Sequence, residues 1–196
     1  SSPLIPVAMG GDHTLTLPVL RALKKKYGKV GLIHIDAHAD INDEMFGEKI
    51  AHGTPFRRAY EESLIDPNSV FQIGLRGTGY SAFDFEEARG WGFNIIQAEE
   101  IWHKSLLPLG ELINSRLKGI PVYLSFDIDS LDPAYAPGTG TPEIGGLTTP
   151  QAIELIRSFQ GLNIVGCDLV EVSPPYDTSG NTALTAANLI FEMLCI

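Results

Sequence analysis

Six runs of the chain read as β-strands with almost no apolar–polar alternation: IPVAM (5–9), VGLIHI (30–35), VFQIGL (70–75), FNIIQ (93–97), VYLSFDI (122–128) and NIVGCDLVEV (163–172). A strand with one wet face alternates, whereas a strand apolar on both faces must be covered on both, as in a parallel sheet between helices. The segments between these runs carry helical spacing. Leu15 to Tyr27 places Leu17, Leu20 and Leu23 on one stripe and stops at Gly28, a residue suited to ending a helix. Phe83–Arg89, Leu106–Lys118, Pro150–Phe159 and Ala183–Leu194 follow, with Thr149-Pro150 as the expected N-cap and first-turn proline of the fourth segment. This alternation predicts a doubly wound α/β sandwich. No internal repeat, low-complexity tract or linker interrupts the 196 residues, so a single domain over 1–196 is expected.

Charge narrows the partners. Fourteen basic against 24 acidic residues leave a formal charge of −10, which argues against nucleic acid or an anionic membrane surface as the main partner. No apolar run approaches the ~20 residues of a membrane span. Cys167 and Cys195 stand in apolar settings (IVGCDLV, FEMLCI) and are expected to be buried free thiols in a reducing compartment. The sequence leaves the compartment open, with an intracellular one, cytoplasmic or mitochondrial, expected. The chain opens almost directly on a strand (SSPLIPVAMGGDH) and stops on an apolar run (NLIFEMLCI), so it reads as an internal piece of a longer protein.

Three polar clusters follow strand runs: GGDH (10–13), HIDAHAD (34–40) and SFDID (125–129). Carboxyl ends of strands are where ligands collect in open α/β sheets. By the strand period, Asp36, His38 and Asp40 share a side while Ala37 and Ala39 face away, and Asp127 with Asp129 repeats the pattern. Each cluster alone has a bland alternative. His13 could be a core histidine, Asp12 a cap for Thr14, and DAHAD a hydrogen-bonding loop. Together, His13, Asp36, His38, Asp40, Asp127 and Asp129 are too many for one tetrahedral ion and suit two adjacent divalent metals. Carboxylate oxygens outnumber imidazole nitrogens and no thiolate takes part, which favours Mn²⁺ over Zn²⁺. Two such ions about 3.5–4 Å apart lower the pKa of a shared water and yield a nucleophile near neutral pH. The pattern is that of a dinuclear metal hydrolase. Other polar residues are given structural duties. His34 packs behind the ligands, His103 belongs to a surface or interface loop, Arg57 and Arg58 form ion pairs, Asp132 shapes a turn, and the loop 132–146 lines the site mouth.

The motifs GGDH, DAHAD, HGTPFRRA (52–59), SFDIDSLDPAYAPGTGTPEIGGLT (125–148) and DLVEVSPPYD (168–177) resemble the ureohydrolases, the family of arginase and agmatinase, in order from Pro6 to the last residue. The resemblance implies a three-layer α/β/α sandwich around a mainly parallel sheet, with the N-terminal part of the family fold missing. It also implies two Mn²⁺ per subunit, with His13 and Asp40 on one ion, His38 and Asp129 on the other, and Asp36 and Asp127 bridging; Asp12 is not a ligand. Glu171 matches the carboxylate that takes the guanidinium, a cation whose paired N–H donors suit a carboxylate's geometry. His52 and Asp129 are implied in proton transfer to the leaving amine. Asn42 would lend an amide N–H to the substrate's carboxylate end, with ordinary loop hydrogen bonding as its alternative.

The implied activity is release of urea from a small guanidino compound by a homo-oligomer, trimeric or hexameric. The motifs are more similar to agmatinases and guanidinobutyrases or guanidinopropionases than to arginases. DINDEMFGEKIAHG points to 4-guanidinobutyrate or 3-guanidinopropionate, with agmatine close behind. Two alternatives keep the same residues: a non-catalytic metal-binding regulatory protein, and a formiminoglutamate hydrolase that releases formamide.

Overall fold

A computed structural model describes residues 4–77 and 83–196. Six strands, β1 (Val7–Met9), β2 (Val30–Ile35), β3 (Ile65–Leu75), β4 (Asn94–Gln97), β5 (Pro121–Asp127) and β6 (Asn163–Val170), form one sheet in the order β1-β6-β5-β2-β3-β4, every pair parallel. β2 is buried along its whole length, as the lack of alternation requires. One face packs on α1 (Thr16–Tyr27), α2 (Pro55–Glu61) and α3 (Asp84–Trp91) through Leu17, Leu20, Phe56 and Ala88. The other carries α5 (Leu107–Leu117), α6 (Thr149–Ser158) and α7 (Asn181–Leu194) through Ile113, Leu155 and Leu189, beside the short α4 (Ala98–Ile101). This is the expected three-layer sandwich. No described helix is long and apolar enough to cross a membrane.

Several boundaries differ from the sequence reading, each for a local reason. β3 starts at Ile65, because the polar stretch Asp66–Ser69 with Pro67 hides a strand whose register against β2 shifts between Val30 and Leu32. β6 stops at Val170, since Glu171 turns into the left-handed region at φ 65°. β5 likewise ends at Asp127, where a 3₁₀ turn takes over. Helix α2 was masked by HGTP, which reads as a loop although Pro55 suits a first turn. The N-cap of α6 is Thr148 rather than Thr149: its hydroxyl accepts from Gln151 N, and the Gln151 side chain returns to Thr148 N. Cys167 is buried, but Cys195 is exposed.

From β2 the chain moves outward through β3 to β4; from β5 it moves the other way to β6. The β2–β5 junction is therefore a point of strand-order reversal, where a parallel sheet opens a crevice at its carboxyl edge.

Candidate metal centre and its cavity

The strand pleat presents Asp127, the last residue of β5, but not the ligands that follow β2. β2 ends at Ile35, and the polar residues beyond it are aimed by turns. Asp36 Oδ1 accepts the His38 N–H at 2.6 Å, and Asp40 sits at φ 54°. At the end of β5, Asp127 Oδ1 accepts the Asp129 N–H at 2.9 Å. Each i, i+2 pair is thus a side-chain-closed turn, which holds the carboxylates more tightly than a free strand end would.

The structure brings six of these residues together. His13 Nδ1 lies 3.0 Å from Asp40 Oδ2, 3.2 Å from Asp127 Oδ2 and 3.3 Å from Asp36 Oδ2. His38 Nδ1 lies 3.2 Å from Asp129 Oδ2 and 3.5 Å from Asp36 Oδ1. Two clusters of suitable ligand atoms result, His13–His34–Asp36–Asp40 and Asp36–His38–Asp129, and Asp36 belongs to both. His34 serves differently: its Nε2 is 2.6 Å from Asp36 Oδ2 and its Nδ1 is 2.9 Å from Gln72 Nε2. Since the Gln72 amide nitrogen only donates, His34 Nδ1 must accept, so Nε2–H donates to Asp36. The ring holds Asp36 in place.

Hydrogen-bond direction on the other histidine provides the test of a metal. His13 Nε2 is 2.8 Å from Ser125 Oγ, whose single proton goes to Asp168 Oδ1 at 2.7 Å. Ser125 must therefore accept from His13 Nε2–H. His13 Nδ1 is fully buried without a hydrogen-bond partner while facing three carboxylates. A lone pair surrounded by anionic oxygens is stable only with a cation, or a proton, between them. Without metal the proton takes this place. Burial opposes charge on His13, yet Asp127, Asp36 and Asp40 hold its pKa well above the ordinary value. Burial, then the charges of Asp129 and Asp36, push Asp127 up. The donor set, four carboxylates and two imidazoles, fits hard or borderline divalent ions.

Beside this cluster opens a cavity of about 280 Å³ walled by His38, Asp40, Asn42, His52, Thr141 and Glu143, with Ile41, Met45 and Phe85 as its apolar lining. The loop 132–146 contributes to the wall as anticipated, and Thr141 Oγ1 donates to Asp129 Oδ2 at 3.2 Å. His52 lies on the wall under the exposed Phe46 ring, 6.2 Å away and nearly parallel. Asn42 also lines the cavity, but its backbone N and Nδ2 both donate to Gly53 O at 3.0 Å, leaving one amide N–H for another acceptor. Glu171 approaches from the β6 side. Its Oε1 accepts the His13 N–H at 2.7 Å, and its backbone N–H goes to Gly11 O. Burial raises its pKa, partly offset by the His13 N–H and by His13 and His52.

The bland assignments hold. Arg57 pairs with Glu87, and Arg58 with Asp43 and Glu61. His103 is exposed. Asp132 closes its turn by accepting from Ala134, Gly145 and Gly146 N–H groups. Asp12 caps Thr14. Sequence reasoning missed Ser125, Asp168, Gln72 and Arg76. Only Ser125 carried a signal, two residues before Asp127 and so on the same side of β5.

A parallel α/β sandwich whose strand ends gather buried carboxylates and imidazoles beside a cavity sets, at the carboxyl edge of its sheet, side chains able to hold metal ions. Residues 1–195 match the arginase family, and the chain belongs to it. The guanidinobutyrase of Pseudomonas aeruginosa is 67% identical over 193 residues, which cover 98% of this chain and 60% of that protein. The mitochondrial guanidino acid hydrolase of Homo sapiens is 59% identical over 191 residues, 97% of this chain and 54% of that protein. Among solved structures, the proclavaminate amidino hydrolase from Streptomyces clavuligerus superposes with a TM-score of 0.89 at 41% identity, covering 96% of this chain and 62% of the other. The chain thus spans between half and two thirds of the length of these three proteins.

Proposed function

We propose that the protein hydrolyses the guanidinium group of a small linear guanidino compound to urea and an amine. The observation that carries this reading is the unpartnered His13 Nδ1 among the Asp36, Asp40 and Asp127 oxygens, in a cluster that opens through His38 and Asp40 onto the cavity. His13, Asp36, His38, Asp40, Asp127 and Asp129 would hold two divalent ions, Mn²⁺ by the oxygen-rich donor set. When bound, such ions supply a water acidic enough to act as nucleophile near neutral pH.

The chain's own residues supply recognition and proton handling. Glu171, fixed by the His13 N–H, accepts the paired N–H donors of the guanidinium and orients its carbon over the cluster. Asp129, whose Oδ2 accepts from Thr141 Oγ1 at 3.2 Å, would relay a proton towards the departing amine. His52 on the cavity wall delivers a proton to the departing amine. Ile41, Met45 and Phe85 suit a methylene tail, and the free N–H of Asn42 suits a terminal carboxylate. These features, with the names of the relatives, favour 4-guanidinobutyrate or 3-guanidinopropionate over agmatine. A homo-oligomer, trimeric or hexameric, in the cytoplasm or a mitochondrion belongs to the same proposal.

The test is a urea-release panel on the full-length protein with Mn²⁺, comparing 4-guanidinobutyrate, 3-guanidinopropionate, agmatine and arginine. Absence of urea from all four in folded, metal-loaded protein refutes the proposal. Formamide from formiminoglutamate would identify that hydrolase instead, and bound Mn²⁺ without any turnover would mark a regulatory protein.

A further inference from the structure

Arg76, immediately after β3, has no carboxylate within ion-pair distance among the described residues; its guanidinium is spent on backbone carbonyls. Nη2 donates to Asp129 O and Glu143 O, each at 2.7 Å, and to Leu131 O at 3.2 Å. Nη1 reaches Gly74 O at 3.1 Å and Ser130 O at 3.2 Å. Nε reaches Ile144 O at 3.1 Å and Glu143 O at 3.3 Å. These carbonyls come from three segments: the end of β3, the turn that carries Asp129, and the wall of the cavity at 143–144. A second observation concerns Gly146. A Cβ there would lie 2.5 Å from Arg76 Nη2 and 2.7 Å from the Leu131 carbonyl carbon, so the chain is closed down around the guanidinium. Asp132 pins the neighbouring residues with the opposite polarity, accepting from the Gly145 and Gly146 N–H groups.

We infer that Arg76 is a positioning residue, which locks the Thr141–Ile144 wall onto the 129–131 turn so that the cavity wall and the Asp129 carboxylate keep one fixed relation. The guanidinium fork suits this task because its N–H donors point in fixed, coplanar directions; a lysine ammonium offers three donors from one point and cannot span three segments. The consequence for turnover rests on the proposed guanidino hydrolysis; the consequence for the loop does not.

Two measurements separate them. In the full-length protein, hydrogen exchange of the amides at 141–147 should accelerate about tenfold or more in Arg76→Ala and in Arg76→Lys. Guanidinium ion at tens of millimolar should slow it again in Arg76→Ala only, because only that variant leaves a vacant fork-shaped site. Manganese content measured by elemental analysis should stay unchanged. With 4-guanidinobutyrate, KM should rise about tenfold while kcat falls by less than about threefold, since the wall touches the tail and not the reacting carbon. Unchanged exchange at 141–147 in both variants overturns the inference, as does a fall in kcat with KM unmoved. If the wild-type protein releases no urea, the functional proposal fails, and the exchange data still decide the role of Arg76.

Discussion

Replacing Asp168 should expose how much of the fold is committed to the centre. Its carboxylate is fully buried and accepts from three hydroxyls, Thr16 Oγ1 at 2.5 Å, Tyr123 Oη at 2.7 Å and Ser125 Oγ at 2.7 Å. All three donors are themselves fully buried. Asp168→Ala leaves each without its acceptor, at about 1–3 kcal/mol apiece. The contributions are not additive, and a water entering the gap would recover part of them, as would relief from burying the carboxylate. The net loss should still reach about 3 kcal/mol, a large share of the ~5–15 kcal/mol that holds a typical domain folded. Asp168→Asn keeps the volume and one acceptor oxygen; a hydroxyl facing the new NH₂ can rotate to accept from it. Its cost should be nearer 1 kcal/mol. Urea unfolding of metal-free protein measures both. The same substitutions free Ser125 to reorient, and with it the proton on His13 Nε2, so manganese affinity should fall about 10–100-fold. A loss of stability below about 1 kcal/mol in Asp168→Ala, or metal affinity unchanged in both variants, would refute the hydrogen-bond direction assigned to His13.

Asp36→Ala should remove most bound metal and nearly all activity, whereas His13→Ala should weaken one site preferentially; elemental analysis finding one ion per chain in fully active protein would rule out a dinuclear centre. Glu171→Gln keeps the ligands and removes the charge that pairs with guanidinium, so metal content should stay near normal while turnover drops severely; unchanged kcat and KM would reduce Glu171 to a residue that ends β6. Asn42→Ala should raise KM for 4-guanidinobutyrate more than for agmatine, and equal changes would confine Asn42 to holding Gly53 through its 3.0 Å hydrogen bond. In metal-free protein His38 is held at about 12, because the Asp129 and Asp36 carboxylates outweigh the opposing effect of burial. The stability this pairing contributes is whole below the unperturbed pKa of about 6.5 and drains away as pH rises towards the folded value. Chelated protein should therefore lose stability progressively from about pH 6.5 towards about 12, while manganese binds more tightly over the same range as ligand protons leave; a denaturation midpoint that climbs with pH after chelation would contradict the pairing.

What could be read from the sequence follows from the range of the forces involved. The lack of alternation in VGLIHI and VYLSFDI is a local property that reports burial on both faces, and β2 and β5 lie at the centre of the sheet accordingly. The ligand clusters were legible for a similar reason, since chemistry confined to five residues survives a wrong account of its geometry. Asp36 and Asp129 reach the centre from turns beyond the strand ends rather than through the pleat, yet they reach it. Residues that act across the chain leave no such mark. Asp168 meets Thr16 across 152 positions, and Arg76 grips Asp129 and Glu143 across 53 and 67; nothing within ten residues of either predicts the partner. The left-handed turn at Glu171 was equally hidden, because Glu is an unfavourable residue there and local propensity argues against it. Such strain persists when surrounding contacts over-determine it. Here the Glu171 backbone N–H is taken by Gly11 O and its side chain by the His13 N–H. The loop that delivers His13 to the ligand cluster therefore also fixes the carboxylate proposed to hold the substrate, and a substitution that relaxed one would disturb the other.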